Sequence, residues 1–160
     1  MNYPTTPAVR FLRERKVEFT PHIYEYVEKG GTKHSAAVLK VDEHSVVKTL
    51  VFETNERKPL IVLQHGDFQV STKELARILG VKTIAPAPPE RANKLTGYLV
   101  GGTSPFGLKT KIPVYAEATI FDSERIYING GKRGFLIEIE PKVLEQVLEI
   151  HRVAVATKDG

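Results

Sequence analysis

A chain of 160 residues, 41% of them hydrophobic and 26% charged, has enough apolar material for one globular core. It contains no cysteine, which excludes disulfides, thiolate nucleophiles and Cys-ligated zinc. No apolar run reaches bilayer-spanning length, and the N-terminus lacks a basic segment followed by an apolar stretch, so the expectation is a single cytoplasmic domain over residues 1–160 with no membrane partner. A net charge of +4 permits a polyanionic partner without requiring one.

In chain order, Thr5-Thr6-Pro7 has the form of a helix start, and Ala8, Phe11 and Leu12 form its apolar stripe beside a basic face. Val17 to Tyr26 reads as a strand interrupted, or placed at an edge, by Pro21. Ser35 is positioned to cap a short helix through Ala36, Ala37, Val38 and Leu39. Ser45 to Thr54 is the clearest strand, apolar on both faces and therefore central, with Leu60 to Leu63 as antiparallel partner. Ser71-Thr72-Lys73-Glu74 has capping-box spacing and opens a helix that runs to Leu79 and closes at Gly80. A short strand over Val81 to Ala85 and a helical turn around Arg91 to Leu95 follow. Val114-Tyr115 and a second hairpin come next, with strands Arg125 to Ile128 and Phe135 to Ile139 joined by Asn129-Gly130-Gly131-Lys132-Arg133-Gly134. Pro141 begins a last helix through Leu148, and the tail after Arg152 is a loose end or a short strand. Strands and helices are interspersed, which predicts an α+β domain with a mixed sheet.

Two features point to chemistry. The stretch from Thr96 to Lys109 delivers a short apolar run into a turn rich in glycine and fixed by Pro105. Gly101 and Gly102 allow positive φ and close backbone approach, so the loop is suited to cradle a carbonyl oxygen or a phosphate. The same composition also serves an ordinary corner. The second feature is Lys48, which shares a face of the central strand with Val46, Leu50 and Phe52. An ammonium in that row must reach water, meet a carboxylate or open into a ligand pocket.

Standard catalytic motifs fail on spacing. A Walker A loop needs lysine directly after the last glycine and a helix there; Leu108 intervenes and Pro113 follows. Ser104 lacks nucleophile-elbow spacing because Phe106 stands where glycine is required. The five histidines, at 22, 34, 44, 65 and 151, have no local metal-ligand spacing, so no metal site and no cofactor is expected.

Taken together, the chain resembles the YbaK/EbsC-type aminoacyl-tRNA deacylases, relatives of the editing domain of bacterial prolyl-tRNA synthetases. The resemblance rests on Thr6-Pro7-Ala8, Tyr24, Lys48-Thr49-Leu50, Thr96-Gly97-Tyr98-Leu99-Val100-Gly101-Gly102, Ser104-Pro105, Gly107 and Gly130-Gly131-Lys132-Arg133-Gly134. It is nearest the Cys-tRNA(Pro) deacylase branch. Thr103, Phe106, Asn129 and Lys40 depart from that branch's usual residues, and Tyr26 to Ser45 matches weakly.

The resemblance implies a mixed, partly barrel-like sheet flanked by helices, and trans-editing of mischarged tRNA, with prolyl-tRNA synthetase as a further partner. An aminoacyl ester is already activated, so cleavage needs positioning and oxyanion stabilisation more than a strong base. In the family's scheme the thiol of a misattached cysteine attacks its own ester. Amides of Gly101 and Gly102 would hold the carbonyl oxygen, and Lys48 a phosphate or polar group of the terminal adenosine. Tyr24, Thr49, Thr103, Ser104, Pro105 and Asn129 would shape the substrate site, with Lys109, Lys111, Lys132 and Arg133 on the RNA or simply solvated. Two alternatives stand beside this: deacylation of an alanyl or seryl tRNA, and a non-catalytic tRNA- or synthetase-binding module.

Overall fold

The computed structural model describes residues 2–158. Helix α1 (Pro7–Glu14) begins as its sequence dictates: Thr6 Oγ1 accepts a hydrogen bond from Val9 N, Pro7 occupies the first turn, and Ala8, Val9 and Leu12 are buried. The Thr6 hydroxyl also donates to Gly130 O at 2.5 Å, tying the helix start to a turn more than a hundred residues away.

The expected strand from Val17 to Tyr26 contracts to β1 (Thr20–Ile23), which lies at the sheet edge where a proline is tolerated. Helix α2 (Gly31–Leu39) starts earlier than Ser35; Gly30 is its N-cap, and Ser35 is buried inside it with Oγ donating to Thr32 O. Lys40 closes the helix in the left-handed conformation at φ 58°, a position where glycine would be unstrained. After a 3-10 turn over Glu43–Ser45 come β2 (Val46–Thr54) and β3 (Pro59–His65), antiparallel with Leu50 opposite Val62.

Then follow β4 (Gln69–Val70), α3 (Thr72–Leu79), β5 (Ile84–Pro86) and α4 (Pro89–Thr96). Ser71 caps α3 by accepting from Glu74 N, and Gly80 ends it at φ 70°. The sheet is completed by β6 (Val114–Glu117), β7 (Ile126–Lys132) and β8 (Phe135–Ile139), with α5 (Lys142–Val147), β9 (Ile150–Val153) and β10 (Ala156–Thr157) closing the chain. Residues Asn129 to Lys132, expected as part of a loop, continue β7 through a register irregularity.

The sheet order is β1-β8-β7-β2-β3-β6-β9, with β5 sharing with β7 the edge of β2 away from β3 and β10 pairing separately with β4. Strands β2–β7, β3–β6 and β6–β9 are parallel and the remaining pairs antiparallel, so the sheet is mixed and the domain α+β. Among the described residues no pairing joins β1 to β9, and the sheet stays open. Its largest core packs α1 against β3, β6, β7 and β8 around Leu12, Ile61, Leu63, Phe106, Ile128 and Ile137, none of them exposed. Each such side chain contributes roughly 1.5–3 kcal/mol on burial. Phe106 is notable because it anchors the end of the glycine loop in this core.

Candidate active site

One edge of β2 is occupied continuously by β3. The other is divided, with β7 taking Val46 and Val47 and β5 taking Phe52 to Thr54. Val46 O accepts from Gly66 N on the β3 side (2.7 Å), whereas Val51 O accepts from Ala87 N on the divided side (3.0 Å). Backbone groups alternate between edges, so Thr49 turns its N–H and C=O toward the interval between β7 and β5. A cavity of about 670 Å³ opens there, with Val46 to Val51 as its floor.

Lys48 lies half-buried in this floor, and its Nζ donates to the backbone carbonyl of Phe68. Burial lowers its pKa from the ordinary lysine value, while the carboxylates of Glu43 and Asp67 oppose that shift. The turn that carries Phe68 O is fixed in its own right. His44 Nδ1 bonds Asp67 Oδ1 at 2.9 Å, and the His44 ring stacks on His65 with centroids 3.6 Å apart. His65 is fully buried; its Nδ1–H donates to His44 O at 2.7 Å, and its Nε2 accepts from Thr119 Oγ1 at 2.7 Å. Burial lowers the His65 pKa, which keeps the ring neutral near pH 7. Lys48 therefore opens into a cavity, held by a carbonyl and flanked by two carboxylates.

The opposite wall is the glycine loop. Gly102 N donates to Leu99 O at 2.8 Å, closing a turn whose third residue, Gly101, has φ 88°. A side chain at Gly101 would be strained by that φ and would press on the Tyr26 hydroxyl at 2.8 Å. Gly102 needs its glycine for a different reason: a Cβ there would stand 2.8 Å from Arg133 N and 3.0 Å from Lys132 C. The loop is thus interlocked with the β7–β8 turn. Asn129 Nδ2 donates to Gly101 O (3.1 Å), Arg133 Nε donates to Val100 O (2.8 Å), and Asn129 Oδ1 accepts from Gly131 N (2.6 Å).

These contacts sort the expected site residues. Lys48, Thr49, Tyr24, Gly101, Thr103, Asn129 and Arg133 all border the one cavity. The Thr49 hydroxyl is buried with no hydrogen-bond partner, and burial raises the Tyr24 pKa beside Ser35. Three of the expected site residues lie off the lining. Gly102 is buried outside the lining, and its amide is already donated to Leu99 O rather than offered to a ligand. Ser104 is fully buried with Oγ accepting from Phe106 N, so it shapes the loop. Pro105 is buried as well and does not border the cavity. Lys109 and Lys111 are exposed beyond the loop and away from the lining, while Lys132 is exposed beside Arg133.

Sequence reading missed most of the wall supplied by residues 26–35, including Thr32, His34 and Ser35, together with Ala87, Ala92 and Leu136. Tyr26, at the end of the expected first strand, was the available signal. It also missed the grouping of His44, His65 and Asp67, whose ligand atoms lie within 4.8 Å of one another. Their separation along the chain hides the cluster, and the hydrogen bonds above already engage its atoms.

Comparison with known proteins places this geometry. EbsC of Enterococcus faecalis, to which Cys-tRNA(Pro)/Cys-tRNA(Cys) deacylation is ascribed, is 27% identical over 155 residues, covering 96% of this chain and 94% of that protein. The proline–tRNA ligase of Thermodesulfovibrio yellowstonii is 32% identical over 130 residues, 81% of this chain but 20% of the ligase. A crystal structure described as a trans-editing enzyme for prolyl-tRNA synthetase superposes with a TM-score of 0.85 at 21% identity, covering 97% of this chain and 99% of that one, and so shares the fold. The family model for the aminoacyl-tRNA editing domain matches residues 30–147, a span that holds both walls of the cavity, and the chain belongs to that family.

Proposed function

We propose that this protein is an aminoacyl-tRNA deacylase acting in trans as a single domain, with Cys-tRNA(Pro) as its substrate. The observation that carries the reading is that Lys48 and Gly101, far apart in sequence, border one cavity. At about 670 Å³ the cavity exceeds a cysteinyl group and has room for the terminal adenosine. The full-length match to EbsC supports the substrate, and the partial match to proline–tRNA ligases supports a functional link to that synthetase.

In this reading the chain positions and the substrate reacts. The cysteine sulfur forms a bond to its own ester carbonyl carbon, the bond from that carbon to the ribose oxygen breaks, and the thiol proton passes to the ribose oxygen. The amide of Gly101, which makes no hydrogen bond among the described residues, is the donor offered to the oxyanion. Lys48 keeps one N–H on Phe68 O and directs its charge at the adenosine end. Tyr24, Thr49, Thr103 and Asn129 bound the acyl and ribose space. Such a site acts as a second sieve for an amino acid that a synthetase cannot exclude by size.

The test is ester loss from Cys-, Pro-, Ala- and Ser-tRNA(Pro), with an S-alkylated Cys-tRNA(Pro) beside them. Loss confined to the free-thiol substrate is expected. Equal loss from the alkylated form would replace self-attack with water, preference for Ala or Ser would reassign the pocket, and tRNA binding without any turnover would make the protein a binding module.

A further inference from the structure

Large apolar side chains that stand in water are few, and they are not scattered evenly. Among the six that are most exposed, Val100 (53%) and Val27 (46%) border the cavity, and Leu99 (58%) precedes Val100 in the glycine loop beside it. Nothing in the acyl-binding reading uses them. Arg133 is fastened there by its Nε–H to Val100 O, with its guanidinium carbon 5.2 Å from the centre of the Tyr26 ring. Arg15, Arg77, Arg91, Arg125 and Arg152 meet carboxylates, whereas Arg133, like Arg10, Arg13 and Arg57, has no ion pair among the described residues. At the rim Lys29 and Lys132 also have no ion pair, as most of the chain's lysines do not among the described residues, where only Lys58 and Lys142 meet carboxylates. The residues bordering the cavity include three cations, Lys29, Lys48 and Arg133, against one carboxylate, Glu28.

Resting on the deacylase reading, we propose that this rim is a stacking and phosphate-binding platform for the unpaired nucleotides next to the terminal adenosine of the acylated RNA end. Exposed apolar faces beside an arginine-aromatic pair suit bases of any identity, since every base offers a π-face. The unpaired cations suit the backbone between them. A protein surface would equally cover the apolar patch, but it would leave the cluster of unpaired cations without opposite charge unless it were acidic. Terminal adenosine fills the cavity; the rim takes what precedes it.

The test compares two substrates that differ only in those nucleotides, the mischarged tRNA and the aminoacyl-adenosine cut from it. In L99S/V100S and in Arg133→Gln, the ratio of kcat/KM on the tRNA to that on aminoacyl-adenosine is expected to fall about tenfold relative to wild type. Ile78→Ser, an exposed apolar residue on α3, serves as the control and leaves the ratio unmoved. Parallel loss on both substrates, or undiminished turnover of the tRNA as for a rim that serves a protein partner, overturns the platform. If wild type turns over neither substrate, the deacylase reading fails separately. Anisotropy of a labelled single-stranded oligonucleotide then decides: weaker binding by L99S/V100S sustains the platform, and equal binding overturns it.

Discussion

The two walls of the cavity are made of different material. The Lys48 wall is a matter of side chains: an ammonium on a carbonyl, two carboxylates beside it, and a pair of stacked imidazoles holding the turn in place. The Gly101 wall is a matter of backbone: a glycine turn wedged against the β7–β8 turn, with Asn129 and Arg133 as its ties. The first wall supplies charge at an energetic cost, because Lys48 and His65 are both desolvated. The second supplies a fixed dipole and contributes shape. On the proposed reading the costly charge serves function and the interlocked backbones serve stability, so substitutions on the two walls should separate the two properties.

The sharpest separation is Lys48→Ala. It should lower kcat/KM for deacylation at least a hundredfold while stability changes by less than about 1 kcal/mol, since a desolvated cation is being removed. Denaturant melts beside single-turnover assays check both halves. Gly102→Ala should do the reverse, destabilising the fold by about 1–3 kcal/mol because its new Cβ meets two rigid backbone atoms. Activity should fall only as far as the loop is displaced. A G102A protein with native stability would break the comparison.

Asn129→Ala sharpens it further. Losing the ties to Gly101 O, Gly131 N and Lys132 N should cost about 1 kcal/mol and roughly tenfold in kcat/KM. On the other wall Asp67→Asn should act through pH. Activity that needs charged Lys48 ends as pH rises through its lowered pKa, and Asp67 favours the charged form. Neutralising Asp67 therefore moves the alkaline limb of kcat/KM to lower pH, whereas N129A leaves that limb in place.

The smallest effect concerns His65. Its folded pKa lies below the unfolded value near 6.5, so the unfolded chain binds more protons between the two. Its contribution to stability is complete above pH 6.5 and is lost as pH falls toward the lowered folded value. Melts of His65→Gln over that interval should show a shallower decline than wild type.

Local rules were legible wherever a residue's role is set by its neighbours in sequence. Thr6, Ser71 and Gly80 cap helices as their spacing demands, and the alternation in Phe135 to Ile139 gives β8 directly. The limits of local rules appear at Ser35, a good capping residue that is buried inside α2 instead, and at Ile150–Val153, whose mixed polarity hides a strand paired in parallel with β6. Ser104 and Pro105 looked like parts of the site because they flank the glycines. Phe106 is anchored in the core, and both are buried beside it.

By itself the sequence determined a cysteine-free α+β domain, a lysine set among buried side chains and a glycine turn with no nucleophile beside it. Capping, alternation and chain stiffness act over a few residues, and such features are written where they operate. Only the tertiary structure decided that β2 would be paired at both ends of one edge and left open between them. Strand pairing is non-local, and that opening exists because β7 and β5, separated by some forty residues, reach β2 at different heights. The meeting of Lys48 with Gly101, and of His44 with His65 and Asp67, follows from the same long-range pairing.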